Sequence, residues 1–508
     1  VNDTNAYIDK GVDIYSYDKL NVLASDTMDI ESLNLAVAGS GTAAGGAILY
    51  VDLLNNKVNS TIGRNNDADI TKFGILDIQK DVLVKASSNE DFQANILMVG
   101  GSGTAAVGGI VIANTMASEV KAGIEETTLK SGSKVDVKAS NGFNEKNKNK
   151  TTGLKGLVLN ADGTAKVDSL DVDDFIPLVS ILNVAGSGVA SVTGSIINNV
   201  VTTNVESYVK NADITTANGL NLDAQSTMTT YDTAMGIAAS GTAAVGVTGI
   251  NNVYAGKTTS IIEDSTISGN VDLNSKDSFN LNTILFTATG TGTGASITAI
   301  ENTNTIVNKV KSLIKNTKIT NANKVNVNSE NNLSIQDVVL AGSGTGVGAA
   351  VNAVPITNVF ISDNSASIIG GSIDGASVSV NAKDNIETVS FLLGIAGSGM
   401  GGSVAGYVLT NVFDNDLNAY IDGVKITNGV LTSTNAASNI DMFGGIMSTG
   451  FTGVGADVMA NGIVSVINNN INSYIVNSDI TNGNVSTSAT QTTDIIDTTA
   501  SANAAGVG

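Results

Sequence analysis

The sequence predicts an all-β fold, a parallel β-helix (β-solenoid), from three observations. A glycine-rich stretch recurs along the chain, short segments alternate apolar and polar residues, and Asn-Gly pairs separate them. The chain has 508 residues with 55 glycines but only 2 prolines, so collagen and proline-rich linkers are excluded. Self-similarity at a fixed period is typical of a solenoid, in which each unit packs on its neighbours. We therefore expect residues 1–508 to form a single continuous solenoid of about nine repeats.

The glycine-rich stretch sets the repeat length. Its full copies occupy 33–51, 96–114, 182–199, 235–252, 285–302, 338–354, 392–411 and 447–461, and a further copy begins near Ala502. The copies are about 52 residues apart, except for longer first and second intervals. One β-helix coil commonly takes about 20–25 residues, so each repeat is expected to cover about two coils of a right-handed helix. Three shorter coils per repeat are the alternative. Two coils per repeat would give a rod about 95 Å long at a spacing of ~4.8 Å per coil.

Alternation of residue type predicts strands in the second half of each repeat. In 318–329 the apolar residues Ile319, Val325 and Val327 are separated by asparagines and other polar residues. A period of two places the apolar side chains on one face of a strand and the amides on the other. Pairs such as Asn218-Gly219 supply the positive-φ residues that tight turns need. Asparagines at equivalent corners of stacked coils are expected to form hydrogen-bonded ladders.

One glycine-rich strand has apolar residues on both faces. One face carries Ala105, Val107, Gly109, Val111 and Ala113, and the other carries Ala106, Gly108, Ile110 and Ile112. Strands buried on both faces have such nearly continuous apolar sequences. One hypothesis is that the core covers one face and a neighbouring segment or another chain covers the other. The alternative is an exposed, weakly apolar strip.

Composition limits the function. The net charge is −21, which disfavours nucleic acid and anionic lipid as partners, because both require a basic surface. The chain has no Cys and no His, so disulfides and thiolate or imidazole metal sites are impossible. Acidic pairs that could act as general acid and base are scattered among the repeats, and no glycine-rich run continues into Gly-Lys-Ser/Thr. We predict that the protein is not an enzyme and needs no cofactor.

The region 141–170 is the largest departure from the repeat and is predicted to be an inserted loop. Its polar, charged part is the candidate for ligand binding, because insertions emerge on one side of a solenoid. The candidate binding residues are Asn144, Lys146, Lys148 and Lys150. A tolerated insertion without function is the alternative.

The same region holds a candidate calcium site. Carboxylate oxygens are the ligands that Ca²⁺ prefers, and four aspartates follow closely. They are Asp168, Asp171, Asp173 and Asp174. Their spacing matches neither an EF-hand loop nor the glycine-rich calcium nonapeptide, so a purely structural role is the favoured interpretation.

The unit running from 392–411 through 419–434 resembles repeats in the passenger regions of very large type V autotransporter adhesins and filamentous-haemagglutinin-like proteins, of the fusobacterial type. This resemblance implies a secreted bacterial cell-surface protein held at the outer membrane, in which a rigid rod mediates attachment to host or bacterial cells in virulence. The implied partner is a protein or glycan receptor. The membrane would be reached only through an anchor that this sequence does not contain, so we expect a piece of a longer protein. A self-assembling extracellular structural fibre is the alternative.

Overall fold

The computed structural model describes residues 2–64, 73–143, 155–159, 165–171 and 179–506. These ranges are almost entirely strand and contain no helix. The strands form a 15-stranded sheet, a 9-stranded sheet and a separate two-stranded ribbon. Pairing within both large sheets is parallel throughout, as between β16 (Ala243–Glu263) and β18 (Val271–Lys315). The predicted class, an all-β parallel solenoid, is confirmed.

Each coil consists of two long segments that face each other and one short strand. The first long segments are β3 (Leu20–Ser40), β6 (Val82–Ser102), β9 (Lys134–Phe143) with β12 (Val179–Ser187), β15 (Gly219–Ser240), β26 (Asn484–Ala505) and the leading halves of β18, β20 (Lys324–Ile369), β22 (Ser377–Asp422) and β24 (Leu431–Val476). The second long segments are β1 (Asn2–Asp9), β4 (Ala43–Arg64), β7 (Ala105–Glu125), β13 (Ala190–Lys210), β16 and the trailing halves of β18, β20, β22 and β24. The coil is therefore strongly flattened.

The short strands close each coil at the end opposite the glycine-rich stretch. They form the 9-stranded sheet, one strand per coil. They are β2 (Ile14–Ser16), β5 (Gly74–Ile78), β8 (Thr127–Ser131), β14 (Asp213–Thr216), β17 (Thr266–Ser268), β19 (Lys318–Thr320), β21 (Ser372–Asp374), β23 (Lys425–Thr427) and β25 (Asp479–Ile480). The ribbon consists of β10 (Lys155–Leu159) and β11 (Ala165–Asp171), which pair antiparallel.

The strand register corrects the predicted number of coils. Leu220 pairs with Val271, which pairs with Val325, which in turn pairs with Val378. Each step is one full repeat, so one repeat forms one coil, and the predictions of two or three coils are wrong. The glycine-rich stretch is itself strand, so it lengthens the long segments instead of forming a coil of its own. Right-handedness stays a prediction.

One coil per repeat changes the dimensions of the molecule. A long segment of 21 residues, such as β16, spans about 70 Å at ~3.3 Å per residue. The nine layers of the short-strand sheet stack to only about 40 Å at ~4.8 Å per layer. The described chain is therefore wider than it is tall, and the rod of about 95 Å is not formed.

Glycines at the bend between the two long segments stack above one another. Gly348 has a φ of 131°, in the region that favours glycine. A Cβ atom at this position would overlap the backbone carbonyl oxygen of Gly294 in the preceding coil. Gly344, four residues earlier, has open space around its Cβ direction. Close stacking of backbones explains why glycine recurs at some positions of the motif.

The interior of the coil contains two hydrophobic clusters. One lies at the short-strand end and includes Ile319, Val325 and Val327, which are fully buried as the alternation predicted. The other fills the middle of the long segments and includes Phe279 and Phe360. Polar side chains lie between the clusters and near the bend, and many of them are fully buried.

Candidate functional site

The insertion enters the third coil in the middle of a long segment. That segment runs to Phe143, opposite Met228, and resumes at Val179, opposite Asp232. In the next coil, only three residues, 229–231, separate the partners Met228 and Asp232. The register assigns residues 144–178 to the insertion, whereas the sequence prediction was 141–170. The insertion begins and ends at a point where the next coil continues as strand.

The predicted site residues lie mostly outside the described residues. These are the loop residues Asn144, Lys146, Lys148 and Lys150 and the aspartates Asp173 and Asp174. The backbones of Asp168 and Asp171 belong to β11, and Asp171 is opposite Lys155 of β10. The binding loop and the calcium site both stay predictions. Elsewhere, the described residues contain no group of three or more acidic side chains placed to hold a metal ion.

A ladder of buried asparagines runs through six consecutive coils. Each member donates a hydrogen bond from its Nδ2 to the Oδ1 of the next, over 2.8–3.1 Å. The members are Asn114, Asn199, Asn252, Asn304, Asn358 and Asn411. Asparagine ladders were predicted at the corners of the coil, where Asn482 donates to Asn428 at 3.4 Å and Asn428 donates to Asp374 at 2.9 Å. The buried ladder was not predicted. This ladder lies inside the second long segments, because a strand residue facing inward at one coil is repeated by its register partner in the next.

Aspartates from the first long segments face this ladder and the polar residues beside it. Asp337 accepts hydrogen bonds from Asn302, Asn304 and Asn358, over 2.8–3.1 Å. Asp232 accepts one from Asn199 at 3.1 Å. Both carboxyl groups are almost fully buried. The network therefore connects the two sheets across the interior of the coil.

Burial without a cation raises the pKa of four interior carboxyl groups. Loss of water raises the pKa of Asp232 to about 7, that of Asp277 to about 6 and that of Asp384 to about 7. The pKa of Asp337 is also raised by burial, although four side-chain donors oppose the shift. Amide and hydroxyl donors partly offset the burial at each site, and no lysine or arginine contributes. Isolated charges are costly in such an interior.

The surroundings of Asp384 contain several acceptors without donors. Its Oδ1 accepts a hydrogen bond from Asn364 at 2.6 Å, whereas its Oδ2 has no hydrogen bond of good geometry. The nearby Asn415 amide nevertheless opposes the rise in the pKa. The Oδ1 atoms of Asn364 and Asn415 also lack partners. A protonated carboxyl supplies a donor that a carboxylate lacks, so protonation suits this group of oxygens. The arrangement is a structural network that responds to pH.

The outer face of the second long segments carries a different pattern, which we call the apolar band. It consists of four columns, each with one outward residue per coil. The first two columns are Ala43, Ala105, Ala190, Ala243, Ala295, Ala349, Gly402, Ala456 and Gly45, Val107, Val192, Val245, Ile297, Val351, Val404, Val458. The last two are Ala47, Gly109, Gly194, Val247, Ala299, Ala353, Gly406, Ala460 and Leu49, Val111, Ile196, Gly249, Glu301, Pro355, Val408, Gly462.

The chain leaves the apolar band open. Val107 is 50% exposed and Val111 is 40% exposed, whereas Ala106, Ile110 and Ile112 on the opposite face are buried. The prediction that the core covers the inner face is confirmed. Within the ranges that the structure describes, no neighbouring segment covers the outer face, which contradicts that part of the hypothesis. Covering by another chain stays a prediction.

Charge is segregated away from the bend. The whole chain has 26 Lys and Arg and 47 Asp and Glu residues. The stretches around the bend contain only Glu301 and Asp457 as charged residues, and Asp457 faces inward to bond Ser403. These stretches are 33–51, 95–113, 180–198, 233–251, 284–302, 338–356, 391–410 and 445–464. Period-two alternation alone could not reveal the columns, because they appear only when the correct inter-coil register is known.

Within the ranges that the structure describes, we find no helix long and apolar enough to cross a membrane. Comparisons of the chain with models of protein families, with curated proteins and with solved structures find no significant match.

Proposed function

We propose that this chain is a rigid solenoid segment of a bacterial cell-surface adhesin, with its recognition site in the inserted region. The observation that supports this most is the parallel register that continues from coil to coil, with a large insertion inside one long segment, between Phe143 and Val179. A continuously hydrogen-bonded scaffold with one large insertion suits a protein that presents a binding loop. The resemblance of the unit from 392–411 through 419–434 to adhesin repeats supports the same proposal. The proposed partner is a protein or glycan receptor on host or bacterial cells.

The register supplies a precise way to test the insertion. Residues 144–178 can be replaced by Thr-Thr-Tyr, the sequence that spans the same step at 229–231. This replacement joins the two halves of the interrupted segment by the same three residues that connect the equivalent positions in the next coil. A milder variant, Lys146→Gln, Lys148→Gln and Lys150→Gln, removes charge and keeps the length of the insertion. Unchanged far-UV circular dichroism would verify that both variants retain the solenoid.

The measurement is binding of the labelled 508-residue chain to epithelial cells and to bacterial cells over a range of concentrations. We expect saturable binding that is abolished by the replacement and weakened by the charge variant. Saturable binding that survives the replacement would place the site elsewhere on the solenoid. Absence of saturable binding to every cell type would reject an adhesive role for this segment.

The second candidate function is a structural fibre that assembles with itself. The exposed apolar band favours it, because contiguous apolar surface on a soluble protein is typical of interaction sites. Electron microscopy of the purified chain distinguishes this function from the first. Filaments of many copies would support the fibre, whereas particles of limited size would reject it.

A further inference from the structure

We propose that the apolar band is a homodimer interface, on which a second copy of this chain packs face to face. The inference goes beyond the adhesin proposal and does not depend on it. It starts from the exposed β-branched column, in which Val192, Ile297 and Val404 are 37%, 38% and 49% exposed.

The size of the band fits a protein partner. Each of its four columns takes up about 6.6 Å of the strand, two residues at ~3.3 Å each, so the band is about 26 Å wide. Eight coils at ~4.8 Å give a height of about 38 Å, and the flat area is therefore about 1,000 Å². Apolar patches on monomers rarely exceed about 600 Å², whereas each partner of a standard interface buries about 800 Å². The band is large enough for a stable dimer.

The order of residue sizes makes the band complementary to itself. The columns starting at Ala43 and Ala47 are mostly Ala and Gly, whereas those starting at Gly45 and Leu49 contain most of the large aliphatic residues. In the coils of Leu49, Val111, Ile196 and Val408, the order across the sheet is small, large, small, large, apart from the glycine at position 45. A twofold axis in the interface plane, parallel to the direction in which the coils stack and between the second and third columns, reverses this order in the partner. Each ridge then meets a groove, as an isologous interface requires.

Charge also favours a second copy. The single outward charge in the band, Glu301, belongs to the outermost column. In the twofold arrangement this column lies at the rim, where a charge keeps contact with water. The net charge of −21 resides outside the band except for the charge of Glu301, and it disfavours an anionic membrane as the occupant.

The test compares two matched pairs of substitutions in the same two coils. The band variant is Ile297→Lys with Val351→Lys, at residues that are register partners. The control variant is Val307→Lys with Ile361→Lys, also register partners, which are 40% and 42% exposed outside the band. Each pair thus changes one Ile and one Val to Lys. Sedimentation equilibrium of the full chain at about 1–100 µM measures the assembly state.

We expect the unmodified chain and the control variant to have twice the mass of one chain. The band variant should be monomeric, with dimerisation weakened at least about 100-fold, because burying unpaired lysines is costly. A monomeric unmodified chain, or a band variant that dimerises as the control does, would overturn the proposal. The unmodified chain is also mixed with neutral phosphatidylcholine vesicles and floated. If it floats with the vesicles and is monomeric without them, the band binds lipid instead. Thermal unfolding of each variant verifies folding.

Discussion

Replacing the buried Asp384 by asparagine should make the chain more stable at neutral and alkaline pH. The side chain is fully buried, and in the preceding coil its register partner is already an amide, Asn331. Asp384→Asn keeps an oxygen that can accept the hydrogen bond from Asn364. Its new amide group can donate to the unpartnered Oδ1 atoms of Asn364 or Asn415. The substitution therefore removes a titratable group without leaving a cavity.

The size of the effect follows from proton linkage. Burial raises the pKa of Asp384 from 3.8 to about 7, so the folded chain binds this proton more tightly than the unfolded chain. The resulting stability is fully present below pH 3.8 and is lost as the pH rises through about 7. At ~1.4 kcal/mol per pH unit the whole change is roughly 4 kcal/mol. Applied to these two pKa values, linkage places about 2 kcal/mol of the change between pH 5.5 and 8.5.

Urea unfolding of both proteins from about pH 5.5 to 8.5 measures this change, because that range avoids the pI near 4.2. Asp232 and Asp277 contribute the same slope to both proteins, so only the difference between them reports Asp384. We expect the advantage of the variant to grow by about 2 kcal/mol across the range. Asp414→Asn, at an exposed position, is the control and should give parallel curves. A constant difference between Asp384→Asn and the unmodified chain would refute the reasoning.

Two further pairs of substitutions test the stacking of the coils. Gly348→Ala should lower the free energy of unfolding by about 3 kcal/mol or more, since it combines a positive φ with a backbone clash. Gly344→Ala in the same motif should change it by under about 0.5 kcal/mol. Equal shifts in the thermal unfolding of the two variants would contradict this explanation of the motif. Asn304→Ala removes hydrogen bonds to three buried partners and should lower the free energy of unfolding by roughly 3 kcal/mol. Asn251→Ala breaks an exposed Asn–Asn bond and should lower it by under about 0.5 kcal/mol. Urea unfolding measures both values. Equal losses at Asn304 and Asn251 would show that burial does not strengthen the ladder.

Some pairings in the interior depend on which residues face each other across the coil. A Cβ atom on Gly394 would overlap the buried ring of Tyr407 on the opposite segment. In the preceding coil the register partners of these two residues are Ala341 and Val354. The smallest residue, Gly394, thus faces the large ring of Tyr407. One coil earlier, the slightly larger Ala341 accompanies the smaller Val354. The sequence shows all four residues but does not show that they form two facing pairs.

The number of coils illustrates the same limit. Alternation in 318–329 correctly predicted strands and the inward residues, because period two is a property of consecutive residues. The repeat length measures distance along the chain, and it is compatible with one long coil or with two short ones. The choice is made by hydrogen bonds between residues a full repeat apart, such as Leu273 and Val327. No local pattern contains that information.

By itself, therefore, the sequence determined the strand content, the parallel solenoid and the inner and outer faces of the strands, because these follow from short-range periodicity and repetition. The tertiary structure decided the size of the coil, the buried carboxyl and asparagine network and the apolar band. Each of these depends on the inter-coil register, which aligns residues such as Val192 and Val245 into columns. Register is set by packing and hydrogen bonding across the whole coil, so it appears only when the chain is folded.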